Sequence, residues 1–213
     1  MRSEHVDRFN HDLEAPGYDA DVRNEEDPIR AGYAAVLDWV VAQAAAGPAD
    51  TVADLGAGTG NLAARLGPVA RLVCVDASIE MLALAAPKLP PATEYVVADL
   101  LEYVSDGPRD LDVAVSTYAI HHLTPDEKAA LFRSLAARLR PGGRFVAGDL
   151  MLADRAAAAD VADEVSAEVL DELLAEEFPW FVDEDAAALA AAGFHDVHWE
   201  RFSPLSWAVS AQL

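Results

Sequence analysis

The chain has 213 residues, is 53% hydrophobic, and carries a net charge of −22 from 15 basic and 37 acidic residues. That length suits one domain, residues 1–213, and so acidic a surface repels phosphate backbones, which argues against a nucleic-acid substrate. The single cysteine rules out an intrachain disulfide and a cysteine-rich metal site.

No apolar run approaches the length of a membrane span. The charged start "MRSEHVDRFNHDLEAPGYD" lacks the apolar centre of a signal peptide, so a cytoplasmic location is expected. Lys88 and Lys128 are the only lysines. Charge of this kind describes a solvated surface and selects no substrate.

In chain order, Thr51–Leu55 reads as a short buried strand, followed by the glycines of "VADLGAGTG" and a helix through "NLAARL". A second strand, Leu72–Val75, holds Cys74 as a core residue and ends at Asp76. "SIEMLALAAPKL" is the next helix, with Ser78 as its cap. Glu94–Ala98 is a third strand ending at Asp99, and "LDVAVS" a fourth. Thr124-Pro125 opens a long amphipathic helix through Leu139, "RPGG" stops it, and Arg144–Ala147 begins a fifth strand. "HDVHWERF" and "LSWAVSAQ" form a terminal antiparallel hairpin around Ser203-Pro204.

Near-continuous apolar strands alternating with helices predict an α/β fold. The expected form is a doubly wound, Rossmann-like sheet of seven strands, mostly parallel with a C-terminal antiparallel hairpin. Ligands bind such sheets outside the carboxyl ends of the strands. Asp54, Asp76, Asp99, Ser116 and Asp149 fall at or near those ends.

The glycine turn narrows the ligand. No Lys-Ser or Lys-Thr follows it, so it is not a phosphate-binding P-loop. Its spacing is G-x-G-x-G rather than the G-x-G-x-x-G of a dinucleotide fold, and Asp54 before the turn places negative charge where a pyrophosphate would lie. A zwitterionic amino-acid ligand tolerates that acid. Asp76 follows Asp54 by one strand–turn–helix–strand unit, as the acid of a NAD site also would, so it does not separate the two classes.

"VADLGAGTG", "VCVDAS", "VVADLLEY", "DVAVSTYAIHHL" and "RPGGRFVAGD" together resemble, in order and spacing, the class I methyltransferases that use S-adenosylmethionine (SAM). The likeness is to small bacterial enzymes of the group that includes quinone-biosynthesis methyltransferases, and it extends over residues 9–210. It implies SAM as cofactor and a small-molecule methyl acceptor. It also implies that Gly56, Ala57, Gly58 and Gly60 admit the methionine portion, while Asp54 supports its ammonium. Asp76 would accept from the ribose hydroxyls and Asp99 from the adenine amine beside Leu100. Ala77 and Met81 would pack on the ring, although Met81 reads equally well as helix core. Ser116 and Thr117 would approach the transferable methyl, with Tyr118 beside them.

For the acceptor end the candidates are Tyr18, His121 and His122. The resemblance makes residues 1–45 a helical lid in which Tyr18-Asp19 closes over SAM, with Pro16-Gly17 as a departure in how that lid bends. His122 reads as a structural hydrogen-bonding residue or a base, and His121 as a surface residue or a base. The adjacent pair lacks i,i+4 spacing and a third ligand, so no metal is expected. Residues 151–182 read as a helical cover over the acceptor, with Val161, Val165, Val169 and Leu173 on one face. Phe178, Trp180 and Phe181 serve either core or acceptor, and Asp149 is either a polar acceptor contact or a solvated acid.

Alternative functions are a non-catalytic SAM-binding module and a NAD(P)-dependent oxidoreductase. The second needs a dyad such as Tyr-x-x-x-Lys, which "YAIHH" does not offer. A homodimer is compatible with the sequence.

Overall fold

The computed structural model describes residues 1–9 and 11–213. Its strands are β1 (Thr51–Leu55), β2 (Arg71–Asp76), β3 (Glu94–Val97), β4 (Leu111–Thr117), β5 (Leu139–Leu152), β6 (Trp180–Phe181), β7 (His195–Arg201) and β8 (Ser206–Gln212). They lie in the order β3-β2-β1-β4-β5-β8-β7. The first five are parallel, and β8 returns antiparallel between β5 and β7. The order reverses between β1 and β4, where a crevice opens at the carboxyl ends.

Eight strands rather than seven form because β6, only two residues long, pairs in parallel with Met151 and Leu152 at the end of β5. A strand that short carries no readable alternation.

The helices are α1 (Ala15–Asp21), α2 (Tyr33–Ala44), α3 (Ile79–Ala85), α4 (Leu100–Ser105), α5 (Pro125–Arg138), α6 (Ala158–Val165), α7 (Ala167–Glu176) and α8 (Val182–Ala192). β1 is buried throughout, and its alternate side chains serve two cores. Val52 joins Val36, Leu37 and Val40 of α2 on one face. Ala53 and Leu55 join Leu131, Phe132 and Leu135 of α5 on the other. Covering both faces is what allows the strands to be apolar on both sides.

Local signals set the helix starts. Ser78 caps α3 by accepting the Met81 amide at 3.0 Å. Thr124 and Glu127 form a reciprocal capping box at the start of α5.

Two expected helices come out differently. "NLAARL" makes only a 3-10 turn, Ala63–Arg65, with Gly67-Pro68 directly behind it to prevent extension. The stripe from Val161 to Leu173 is broken at Ser166, whose φ of 120° ends α6 and whose hydroxyl accepts the Val169 amide to start α7. Of its members only Val161 and Leu173 end up buried, and Leu170, outside the stripe, joins them. No helix among the described residues is long and apolar enough to cross a membrane.

Candidate active site

A cavity of about 360 Å³ lies at the carboxyl ends of β1, β2 and β4. The turn after β1 forms its floor. Gly56 has φ of 73°, and a Cβ added there would stand 2.2 Å from the Ala119 Cβ, so neither conformation nor space admits a side chain. Gly58 has φ of 52° and faces open space, leaving its backbone accessible to a ligand.

Asp76 ties β2 to that turn. Its Oδ2 accepts the Gly58 amide at 2.7 Å and its Oδ1 the Ser78 amide at 2.8 Å. Each oxygen keeps lone-pair capacity for a further donor. Burial raises the Asp76 carboxyl above its ordinary range, and the two backbone bonds partly oppose this.

Asp54 lies behind the turn, 0% exposed, and neither carboxylate oxygen has a hydrogen-bond partner among the described residues. Burial, and then the negative charge of Asp76, push it up to about 7, while the Ala63 amide, outside hydrogen-bond geometry, opposes this weakly. An orphaned buried carboxylate beside a second acid creates a field that a cation relieves. The residues therefore fit a ligand with a positively charged amino-acid head.

Further along, Asp99 caps α4. Its Oδ1 takes the amides of Leu101, Glu102 and Ser3, which leaves Oδ2 outside those bonds. Ala77, Met81, Asp99 and Leu100 line the cavity with Asp76 and Gly58. Tyr18, Tyr118, His121 and His122 line it toward the other end.

Other expected contacts sit elsewhere. Ala57 and Thr117 line a small adjoining cleft with Tyr18 and Tyr33. Gly60 packs so closely that an added Cβ would meet the Ala85 Cβ at 2.9 Å. Ser116 is inside the sheet, donating to the Leu55 carbonyl at 2.6 Å, and does not line the cavity.

The structure places the two histidines in different surroundings. His121 is buried, not at the surface, and its Nδ1 is 2.5 Å from Asp149 Oδ1. Asp149 is neither solvated nor free for an acceptor. It also takes the amides of Ile120, His121 and Leu150 and the Trp180 indole N–H. Burial works against its ionisation, but His121 and these bonds hold its carboxyl below the ordinary range. Trp180 is wholly buried against Phe132 and Trp199, which makes it core, and Phe178 stacks on His5.

His122 faces the cavity. Its Nδ1 lies 2.9 Å from Glu177 Oε2 and its Nε2 3.3 Å from His11 Nε2, with Phe9 stacked on the ring at 4.1 Å. Burial, then the neighbouring His121, lower it to about 4 against the pull of Glu177. A ring so reluctant to protonate makes a weak general base. The sequence offered no third ligand for this pair, whereas the fold brings in Glu177 from 55 residues downstream. Glu177, His11 and Phe9 escaped the sequence reading because no local spacing links them to "HH".

The N-terminal segment is tied to the rim of the cavity. Ser3 bonds to Asp99, and Asp12 accepts the Ser78 hydroxyl at 2.5 Å. Asp19 Oδ1 accepts from Thr59 at 2.6 Å and Asn61 at 3.0 Å, while its Oδ2 pairs with Lys88 at 2.6 Å. These bonds pin α1 to the glycine turn, with Tyr18 beside the cavity.

Residues 52–143, which carry the turn, Asp76, Asp99 and both histidines, match the family described as a methyltransferase domain. The likeness is to a methyltransferase domain and covers less than half of the chain. The chain is also 35% identical over 144 residues to an uncharacterized methyltransferase of Bacillus cytotoxicus, an alignment covering 66% of this chain and 65% of that protein. It thus spans slightly less than two thirds of that relative's length.

Two solved structures share the methyltransferase fold. The DhpI–SAH complex has a TM-score of 0.69 at 19% identity, covering 94% of this chain and 92% of that one. Haemonchus contortus phosphoethanolamine N-methyltransferase 2, in complex with S-adenosyl-L-methionine, has a TM-score of 0.73 at 17% identity, covering 99% and 59%. The Rossmann-like, mostly parallel sheet with antiparallel C-terminal strands is the one expected from the sequence.

Proposed function

We propose that this protein transfers the methyl group of SAM to a small organic acceptor, releasing S-adenosylhomocysteine (SAH). The observation that carries this reading is the pairing of an orphaned, buried Asp54 with Asp76 at a glycine turn whose backbone is open to a ligand. SAM supplies an activated methyl on a sulfonium, so the chain's task is to bind, orient and exclude water. Orientation of this kind lowers barriers by roughly 7–11 kcal/mol.

Asp76 accepts from the ribose hydroxyls with the lone pairs its backbone bonds leave free. Asp99 Oδ2 accepts from the adenine amine, and Ala77, Met81 and Leu100 pack on the ring. Asp54 acts on the ligand's ammonium through its field, since the turn lies between them. Residues 1–45 serve as the lid and 151–182 as the cover, and their contacts with Ser78, Asp99 and His122 keep water from the reaction. Asp149 fixes the His121 ring, and Tyr18, His121 and His122 face the acceptor. A net charge of −22 speaks against a nucleic-acid acceptor and supports a small one.

Methyl-labelled SAM incubated with the protein and a low-mass metabolite fraction tests this. Label is expected in organic-extractable small molecules together with stoichiometric SAH. Label confined to macromolecules, or bound SAM that is never consumed, contradicts it.

A further inference from the structure

We propose that His121, His122 and Glu177 bind a divalent transition-metal ion at the acceptor end of the cavity, where it takes an acceptor hydroxyl as a further ligand. One ligand atom from each of these residues lies within 4.8 Å of the other two. The edge between His122 Nδ1 and Glu177 Oε2 is 2.9 Å, close to the separation of adjacent ligands bonded to an ion at roughly 2.0–2.2 Å. All three residues line the cavity, so positions not filled by the protein face the space for the acceptor. Three protein ligands with an open position is the pattern of a catalytic rather than a structural site.

The surroundings are those of a built site. Asp149 Oδ1 lies against His121 Nδ1, which fixes the ring and leaves Nε2 outside that bond. The His122 ring is held from its far side by His11 at 3.3 Å and from its face by Phe9. Such outer partners orient ligating imidazoles and set their basicity. Glu14, Glu172 and Glu176 also line the cavity and favour a cation over an anion there. Two nitrogens and one oxygen suit zinc, iron or cobalt better than magnesium or calcium.

This inference rests on the methyl-transfer reading and specifies its acceptor as an oxygen nucleophile. Coordination would lower the pKa of the bound hydroxyl, so that its proton passes to bulk solvent as the acceptor binds, before water is excluded. The oxygen lone pair then forms the O–CH₃ bond, while the C–S bonding pair returns to sulfur and turns the sulfonium into a thioether.

The test is a titration of chelator-treated, full-length protein with Co²⁺, followed by visible absorption in magnesium-containing buffer, with SAH affinity measured in parallel. One Co²⁺ per chain with intense d–d bands is expected. Glu177→Gln, which removes a ligand, and His11→Ala, which removes only an outer partner, are each expected to weaken binding by about 10-fold or more. Retained SAH binding by the variants shows that they are folded. Weak, featureless Co²⁺ association unchanged in both variants assigns the ion to surface carboxylates and overturns the proposal. SAH binding without this Co²⁺ site removes the metal alone, whereas a Co²⁺ site without SAH binding removes the methyltransferase reading instead.

Discussion

Asp76 and Gly58 are joined by a 2.7 Å hydrogen bond from the glycine amide to Oδ2, so the acid that ends β2 also shapes the turn that follows β1. In the proposed site the carboxylate would serve the ligand twice, as acceptor and as anchor of the surface beneath it. Asp76→Ala removes both effects. A hydrogen bond to a charged group contributes about 1.5–3 kcal/mol, so SAH affinity should fall roughly 10- to 150-fold, measured by calorimetry. A loss smaller than about 2-fold would take Asp76 out of the binding site.

The buried Asp54 gives stability an unusual dependence on pH. Its folded pKa, about 7, lies above the 3.8 of a free carboxyl. The folded state therefore holds a proton that the unfolded chain has lost, and stability declines as pH rises through that window before levelling off. Asp54→Asn should raise the melting temperature of ligand-free protein at pH 8 and leave it nearly unchanged at pH 4. It should also weaken SAH binding at pH 8, because the field that attracts the ammonium is gone. Equal melting shifts at both pH values would contradict this account.

Asp19 is the bond between α1 and the glycine turn, through Thr59, Asn61 and Lys88. Asp19→Ala leaves the cavity wall unaltered but releases that helix. Faster SAH dissociation, by about 10-fold if one charged hydrogen bond's worth of closure is lost, is expected in stopped-flow measurements with little change in association. An unchanged dissociation rate would mean that α1 does not act as a lid.

Gly148 on β5 sits beneath α2, and an added Cβ would stand 2.1 Å from Val36 Cγ1. Gly148→Ala must push the helix off the sheet, a strain of about 1–3 kcal/mol. In a chain of this size that lowers the melting temperature by roughly 2–4 °C per kcal/mol. Restoring stability with the double change Gly148→Ala/Val36→Ala would show that the clash is the cause.

The fold was readable because its strands are continuous apolar runs that end in acids. Thr51–Leu55 and Glu94 through Asp99 announce themselves locally, and so do the caps at Ser78 and Thr124. The helix expected after the glycine turn was not readable, since Leu62 and Ala63 are buried as a single turn that Gly67-Pro68 keeps short. At the acceptor end, the partners of "HH" come from far along the chain. Asp149 joins His121 across 28 residues and Glu177 joins His122 across 55. Periodicity and capping speak only within a few turns, so the sequence left His121 as a surface residue or a base and Asp149 as an acceptor contact or a solvated acid, and did not join them.

The central claim is the cofactor site, and the most direct measurement is a calorimetric titration of the purified protein with SAH and, separately, with NADH. The account predicts one SAH bound per chain with a Kd in the micromolar range, about −8 kcal/mol, and no heat with NADH. Binding of NADH in place of SAH would contradict it, because a pyrophosphate would then be accommodated beside the buried charge of Asp54.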